Sequence, residues 1–120
     1  MMADLLKRAI REMTRARDEA TAAAEELFRR KQDAMDRGDF RGFERYSTTY
    51  KAALDTEDKA TKRLIAGLTN PDDGDVASLK EATDELDVHL EKLRSEEKSL
   101  KDVAVAITAL THVVLLFGFL

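Results

Sequence analysis

The sequence predicts an all-α protein: an antiparallel three-helix bundle of the coiled-coil type whose third helix is over-long and ends in an apolar segment. Helix-favouring residues dominate a chain that is 37% charged, with one Pro and five Gly. Apolar residues recur at helical spacing in three segments separated by two turn signals. The last eighteen residues contain no Asp, Glu, Lys or Arg. We therefore expect a charged bundle over residues 1–102 and an apolar C-terminal helix over residues 103–120. A break that makes this segment a fourth helix is the alternative.

Composition restricts the class of protein. A chain of 120 residues forms one domain with a modest core, and the absence of Cys excludes disulfides and thiolate catalysis. The net charge is −4, and residues 71–120 carry eleven acidic against five basic side chains. A nucleic-acid-binding protein needs a clustered basic surface, so we expect no nucleic-acid partner. The N-terminal segment lacks an uncharged apolar core, so we expect no secretory signal and a location on the cytoplasmic side.

The first helix is predicted over residues 3–37 from a seven-residue apolar repeat, which is typical of a coiled-coil seam. The repeat consists of Leu6, Met13, Ala20, Leu27 and Ala34. Gly38 is expected to end this helix in the left-handed conformation, and Asp39 to cap the next one.

The second helix is predicted over residues 40–68, and Gly67 is expected to interrupt it before a loop at residues 70–74. Its buried side is predicted to consist of Phe43, Tyr46, Tyr50, Ala53, Ala60, Leu64 and Leu68. Aromatic residues concentrate in its first turns, and such a cluster indicates core packing, with a binding pocket as the alternative.

The third helix is predicted over residues 75–102, with Asp75 as its N-cap. Its seam is expected to contain Val76, Leu79, Leu86, Leu90, Leu93 and Leu100. Ser99 and Asp102 have the spacing of a capping box, so a kink or a helix restart near residues 95–99 is the alternative to a continuous helix.

The apolar segment that follows has the length of a minimal membrane span, about 27 Å as a helix. Insertion in lipid and burial among protein helices are both compatible with it. On a helical wheel, one face carries small or polar residues and continues the leucine seam of the third helix. This candidate interaction face, which we expect to point inward, contains Ala104, Thr108, Thr111, His112, Leu115 and Gly118.

Helix lengths predict that the apolar segment extends past the bundle beside the Gly38 turn. It would emerge within a basic rim, which an anionic membrane surface would attract. The predicted rim contains Arg29, Arg30, Lys31, Arg37, Arg41 and Arg45. A solvated charged tip is the alternative.

Catalytic chemistry is not predicted. Glu25 and Glu26, with the later Glu81 and Asp84, resemble in part the magnesium-binding elements of MazG-like nucleotide pyrophosphohydrolases, but position 29 is Arg and the spacing is too long. His89 lacks the paired motif of a bundle metal site, so we expect no metal and no cofactor.

We therefore expect a non-enzymatic helical-bundle protein that associates with or assembles in a membrane through its C-terminal helix. The alternative is a soluble interaction protein whose apolar helix is buried in a homo-oligomer or a protein partner. In either case we expect a homo-oligomer and no small-molecule substrate.

Overall fold

The structure, a computed structural model, describes residues 2–69, 71–95 and 100–120. Within them the chain is helical and forms four helices: α1 (Met2–Asp36), α2 (Phe40–Ala66), α3 (Asp73–Ser95) and α4 (Leu100–Leu115). Two-residue strands β1 (Leu68–Thr69) and β2 (Gly118–Phe119) pair in antiparallel register. The all-α prediction is confirmed. An over-long third helix is not found, because α3 ends at Ser95. The predicted kink and capping box lie partly outside the described residues.

The turn between α1 and α2 has the predicted chemistry. Gly38 adopts a φ of 74°, which a residue with a Cβ rarely adopts. The side chain of Asp39 accepts a hydrogen bond of 2.9 Å from the backbone N–H of Gly42 and so caps the first turn of α2. The two longest helices consequently form an antiparallel hairpin.

The connection between α2 and α3 differs from the prediction in its cap. Gly67, with a φ of 93°, ends α2 as expected. The N-cap of α3, however, is supplied by Asp72, whose carboxylate accepts hydrogen bonds from the backbone N–H groups of Gly74 and Asp75. The prediction of Asp75 as the cap is wrong, because α3 begins at Asp73 and Asp75 already lies within its first turn, where its own N–H is one of the groups that Asp72 caps.

Contacts between helices fix their directions. Arg8 of α1 pairs with Asp73 of α3, and Arg15 pairs with Asp84, both at 2.6 Å, so α1 and α3 run in parallel. Along α2 and α4, Thr56 lies beside Thr111. Further along the chain in the same direction, Arg63 of α2 bonds to Phe117 just after α4, so these two helices also run in parallel and the α1–α2 hairpin packs on the α3–α4 hairpin.

One core runs through all four helices. The largest fully buried side chains are Met13, Leu27, Leu79, Leu86, Leu90, Leu93, Val103, Ile107, Leu110 and Val114. The predicted seams of α1 and α3 are largely present in this set. Leu6 is an exception, since it is exposed near the start of α1, and Leu100 is only partly buried.

The apolar C-terminal segment folds back onto the bundle. Helix α4 starts near the Gly38 turn and ends at Leu115, after which β2 pairs with β1 at the opposite end of the molecule. The expected overshoot past the Gly38 turn and the expected helix over residues 103–120 are therefore wrong. Because α4 runs antiparallel to α3, the apolar segment buries its side chains between α2 and α3.

Candidate functional site

The candidate interaction face of α4 points mainly outward. Thr108, His112 and Leu115 are exposed, and Ala104 is half-buried. The opposite face, centred on Ile107 and Leu110, is buried in the core. The expected inward orientation assumed that one continuous helix extends the leucine seam of α3. Because α4 is a separate helix, it is free to rotate about its own axis and turn its larger apolar side chains inward.

Two members of the predicted face make contacts within the chain. The hydroxyl oxygens of Thr111 and Thr56 lie 2.5 Å apart. Gly118 belongs to β2 and pairs with Thr69, and a Cβ at this position would lie 2.7 Å from the Thr69 hydroxyl oxygen. Substitution of either residue would therefore disturb the fold itself, and neither tests an external interface cleanly.

A shallow surface groove of about 430 Å³ lies along the exposed side of α4. The described residues that line it all belong to α4: Lys101, Ala104, Val105, Thr108, Ala109 and His112. Val105 is 62% exposed, as is Leu116 one turn beyond the groove. We call this surface, from Ala104 to Leu116, the outward face of α4.

The far end of the chain forms a second exposed apolar surface. Leu116 is exposed, and so are Phe119 and Leu120 near the end of the chain, at 47% and 83%. We call these three residues the apolar end. Among the described residues, no helix has both the length and the hydropathy that crossing a bilayer would require.

A buried arginine fixes this end to α2. The Nε of Arg63 donates a hydrogen bond of 3.2 Å to the carbonyl oxygen of Phe117, and the guanidinium lies 4.6 Å from the ring centroid of Phe119. The backbone N–H of Leu120 donates to the carbonyl oxygen of Gly67. Burial lowers the pKa of the Arg63 guanidinium. Sequence reasoning missed this residue, although a cation in the last turn of a helix is a recognised capping signal.

The predicted basic rim divides into residues with different partners. Arg29 and Arg30 both pair with Glu26, and Arg30 also donates to the carbonyl oxygen of Leu93 in α3. Lys31 turns away from them into an aromatic cluster. Its Nζ lies 5.2 Å from the ring centroid of Phe28, and Phe43 and Tyr50 complete the cluster at 5.5 and 4.9 Å. Arg30 and Lys31 therefore join α1 to neighbouring helices, whereas Arg29 pairs within α1.

The remaining rim residues, Arg37, Arg41 and Arg45, are exposed around the Gly38 turn. Arg37 and Arg45 line a cleft of about 670 Å³ between the starts of α2 and α4, together with Lys101 and Tyr46. We call it the basic cleft. The rim lies at the end opposite the apolar end, so the predicted emergence of the tail within the rim is wrong.

A second cleft of about 420 Å³ lies beside the basic cleft. Its lining includes Arg29, Arg30, Arg37, Tyr46 and Arg94. Arg37 and Tyr46 are common to the two clefts. The sequence suggested neither Lys101 nor Tyr46 as a site residue, because Tyr46 fits the apolar period of α2 and Lys101 is distant from the rim along the chain.

An acidic pair joins α1 to α3 near the middle of the bundle. Burial and the negative charge of Asp87 raise the pKa of Glu19 to about 7, and one carboxylate oxygen of Glu19 is buried without a hydrogen-bond partner. Arg15 and Arg94 oppose this shift through their positive charges. His89 lies on the other side of α3, with its Nε2 3.4 Å from a carboxylate oxygen of Glu85.

No protein-family model matches this chain, and no match is found among curated proteins or among solved structures.

Proposed function

We propose that this chain is a non-enzymatic interaction module that assembles with a second copy of itself through the outward face of α4. The observation that carries this proposal is an exposed helix face from Ala104 to Leu116 that contains no Asp, Glu, Lys or Arg and mixes apolar side chains with Thr108 and His112, with Val105 and Leu116 both 62% exposed. Exposed apolar surface of this kind marks interaction sites in soluble proteins.

Side-chain size supports a helix as the occupant. Ala104, Thr108 and Ala109 are small, so another helix can approach this part of α4 closely. The 16 residues of α4 provide a contact about 24 Å long. A twofold axis near Thr108 would place Val105 of one copy beside His112 of the other, which is the self-complementary arrangement of a symmetric dimer.

Charge does not oppose a second copy at this face. Each chain carries a net charge of −4, so two copies repel one another over most of their surfaces. The outward face of α4 avoids this repulsion, because no Asp, Glu, Lys or Arg occurs after Asp102.

Sedimentation equilibrium of the full chain tests the proposal. We expect the native protein to be dimeric and Ala109→Glu to be monomeric with an unchanged helix content, since the charge would be buried only in the dimer. Ala77→Glu is the matched control, because Ala77 is an exposed alanine of α3, and this variant should remain dimeric. A monomeric native protein, or an Ala109→Glu variant that associates as strongly as the native chain, would overturn the proposal.

Association with a lipid surface is a second candidate, favoured by the apolar end. Leu116, Phe119 and Leu120 are exposed together after the last helix, and apolar side chains in such a position can enter the interface of a bilayer. Flotation of the chain with phosphatidylcholine vesicles tests it. Binding that is lost in Leu120→Glu and retained in Ala109→Glu would favour this candidate over self-assembly. Recovery of the native chain entirely in the unbound fraction would contradict association with lipid.

A further inference from the structure

We propose that the basic cleft is a binding site for an organic phosphate, with the phosphate group held by Arg45 and Lys101 beside the Tyr46 hydroxyl. This site lies at the opposite end from the apolar end. It shares Lys101 and Ala104 with the groove along α4, but phosphate binding does not require self-assembly through α4.

The charge of the basic cleft favours an anion. Among the described residues that line it, Arg37, Arg45 and Lys101 face one carboxylate, that of Asp39, which caps α2. Arg45 and Lys101 make no ion pair with any residue in the described parts of the chain. Helices α2 and α4 also both begin at this cleft, so the positive ends of their dipoles converge on it.

Tyr46 gives an independent indication of a ligand. Its side chain is only 7% exposed and lines both neighbouring clefts. Its hydroxyl makes no hydrogen bond within the described residues. The hydroxyl oxygen is not fully enclosed by protein, so a ligand can reach it. A buried tyrosine normally pairs its hydroxyl, so the hydroxyl of Tyr46, a residue that lines the basic cleft, is suited to donate to a phosphate oxygen bound there.

The size of the cleft indicates more than an inorganic ion. A volume of about 670 Å³ is within the range of small-molecule sites. Leu100 and Ala104 add an apolar wall beside the cationic residues. An apolar wall and a phosphate-binding group together fit a phosphorylated molecule with a non-polar body.

Isothermal titration of the full chain with AMP, and separately with adenosine, tests the site. We expect AMP to bind and adenosine to bind at least about tenfold more weakly, because the phosphate supplies the charge-assisted hydrogen bonds. Arg45→Gln and Lys101→Gln should each weaken AMP binding by about tenfold, and added salt should weaken binding to the native chain. Tyr46→Phe removes one hydroxyl and preserves the packing, so it should weaken binding by about threefold to tenfold.

Lys51→Gln is the matched control, since Lys51 is an exposed lysine of α2 outside the cleft, and it should bind AMP like the native chain. A parallel flotation experiment uses phosphatidylcholine vesicles with and without phosphatidic acid. Binding of phosphatidic-acid vesicles alone would support the phosphate site and assign its source to a lipid headgroup, and binding of AMP alone would assign it to a soluble molecule. The proposal is overturned if neither probe binds, or if Lys51→Gln weakens binding as much as Arg45→Gln and Lys101→Gln do.

Discussion

The hydroxyl oxygens of Thr56 in α2 and Thr111 in α4 lie 2.5 Å apart and join the two hairpins. Each hydroxyl also lies 2.9 Å from the carbonyl oxygen four residues earlier in its own helix, that of Ala52 or Ile107. Since each hydroxyl has a single proton, only one of them can donate across the contact while the other donates to its own helix. The pair thus satisfies two buried polar groups and sets the register between two parallel helices.

Substitution of Thr56 and Thr111, singly and together, should show that the two residues interact in stabilising the fold. Thr56→Val alone should lower the free energy of unfolding by about 1 kcal/mol, because Thr111 loses its partner across the contact. Thr56→Val with Thr111→Val should cost less than the sum of the two single substitutions, as expected for residues in direct contact. Urea denaturation of the four chains measures both effects. Strict additivity would show that the two hydroxyls do not interact.

Removal of the Arg63 guanidinium should release the C-terminal residues from α2. Arg63→Met should lower the free energy of unfolding by about 1 to 3 kcal/mol, since it removes the hydrogen bond to Phe117 and the stacking on Phe119. Amide hydrogen exchange of Leu120 should also accelerate. Lys62→Met is the control, because Lys62 is exposed on the same helix turn, and its effect should be small. Equal effects of the two variants would show that Arg63 does not hold the C-terminal residues on α2.

The acidic pair predicts a pH dependence of stability. The pKa of Glu19 is about 7 in the folded chain against an ordinary value of 4.5, so the folded state holds this proton more tightly than the unfolded state does. Stability contributed by this group is therefore complete below pH 4.5 and decreases as the pH rises from 4.5 to about 7. The glutamine in Glu19→Gln cannot lose a proton. The stability of this variant should therefore depend less on pH over this interval, and at higher pH the variant should be more stable than the native chain.

The midpoints of urea denaturation, measured across this pH interval, test the contribution of Glu19. Glu25→Gln, at an exposed position of α1, should follow the native pH profile. If Glu19→Gln and the native chain have parallel profiles, the pKa of Glu19 is not raised in the folded chain.

The aromatic cluster around Lys31 predicts that the positive charge of Lys31 stabilises the fold. Lys31→Met keeps the length of the side chain but removes its charge, and it should lower the free energy of unfolding by about 1 kcal/mol through loss of the cation–π contacts with Phe28, Phe43 and Tyr50. Lys51→Met, at an exposed site on α2, should change stability by less than about 0.5 kcal/mol. Thermal unfolding of both variants provides the measurement, and similar midpoints would mean that the Lys31 charge is irrelevant to stability.

The elements with local signals were predictable from the sequence. The heptad repeat that includes Met13 and Leu27 specifies the buried side of α1, and Gly38 with Asp39 specifies the turn into α2. Helical period and cap chemistry depend on residues within a few positions of one another, so one sequence contains the whole signal.

The candidate sites were less predictable. The arginines at the Gly38 turn were identified from the sequence, but Lys101 is distant along the chain and joins Arg45 only because α4 begins beside α2. In the same way Glu19 and Asp87 belong to different helices, and the pKa of Glu19 depends on burial and charge that only the packed helices create.

The sequence by itself determined that the C-terminal segment is apolar, and the tertiary structure decided where that segment lies. Apolar residues favour any environment that excludes water, whether lipid, a partner or the core of the same chain. The choice among these depends on whether the other helices leave a complementary space. Helices α2 and α3 do leave one, and Val103, Ile107 and Leu110 occupy it. The outward face of α4 is the remainder that this packing leaves exposed.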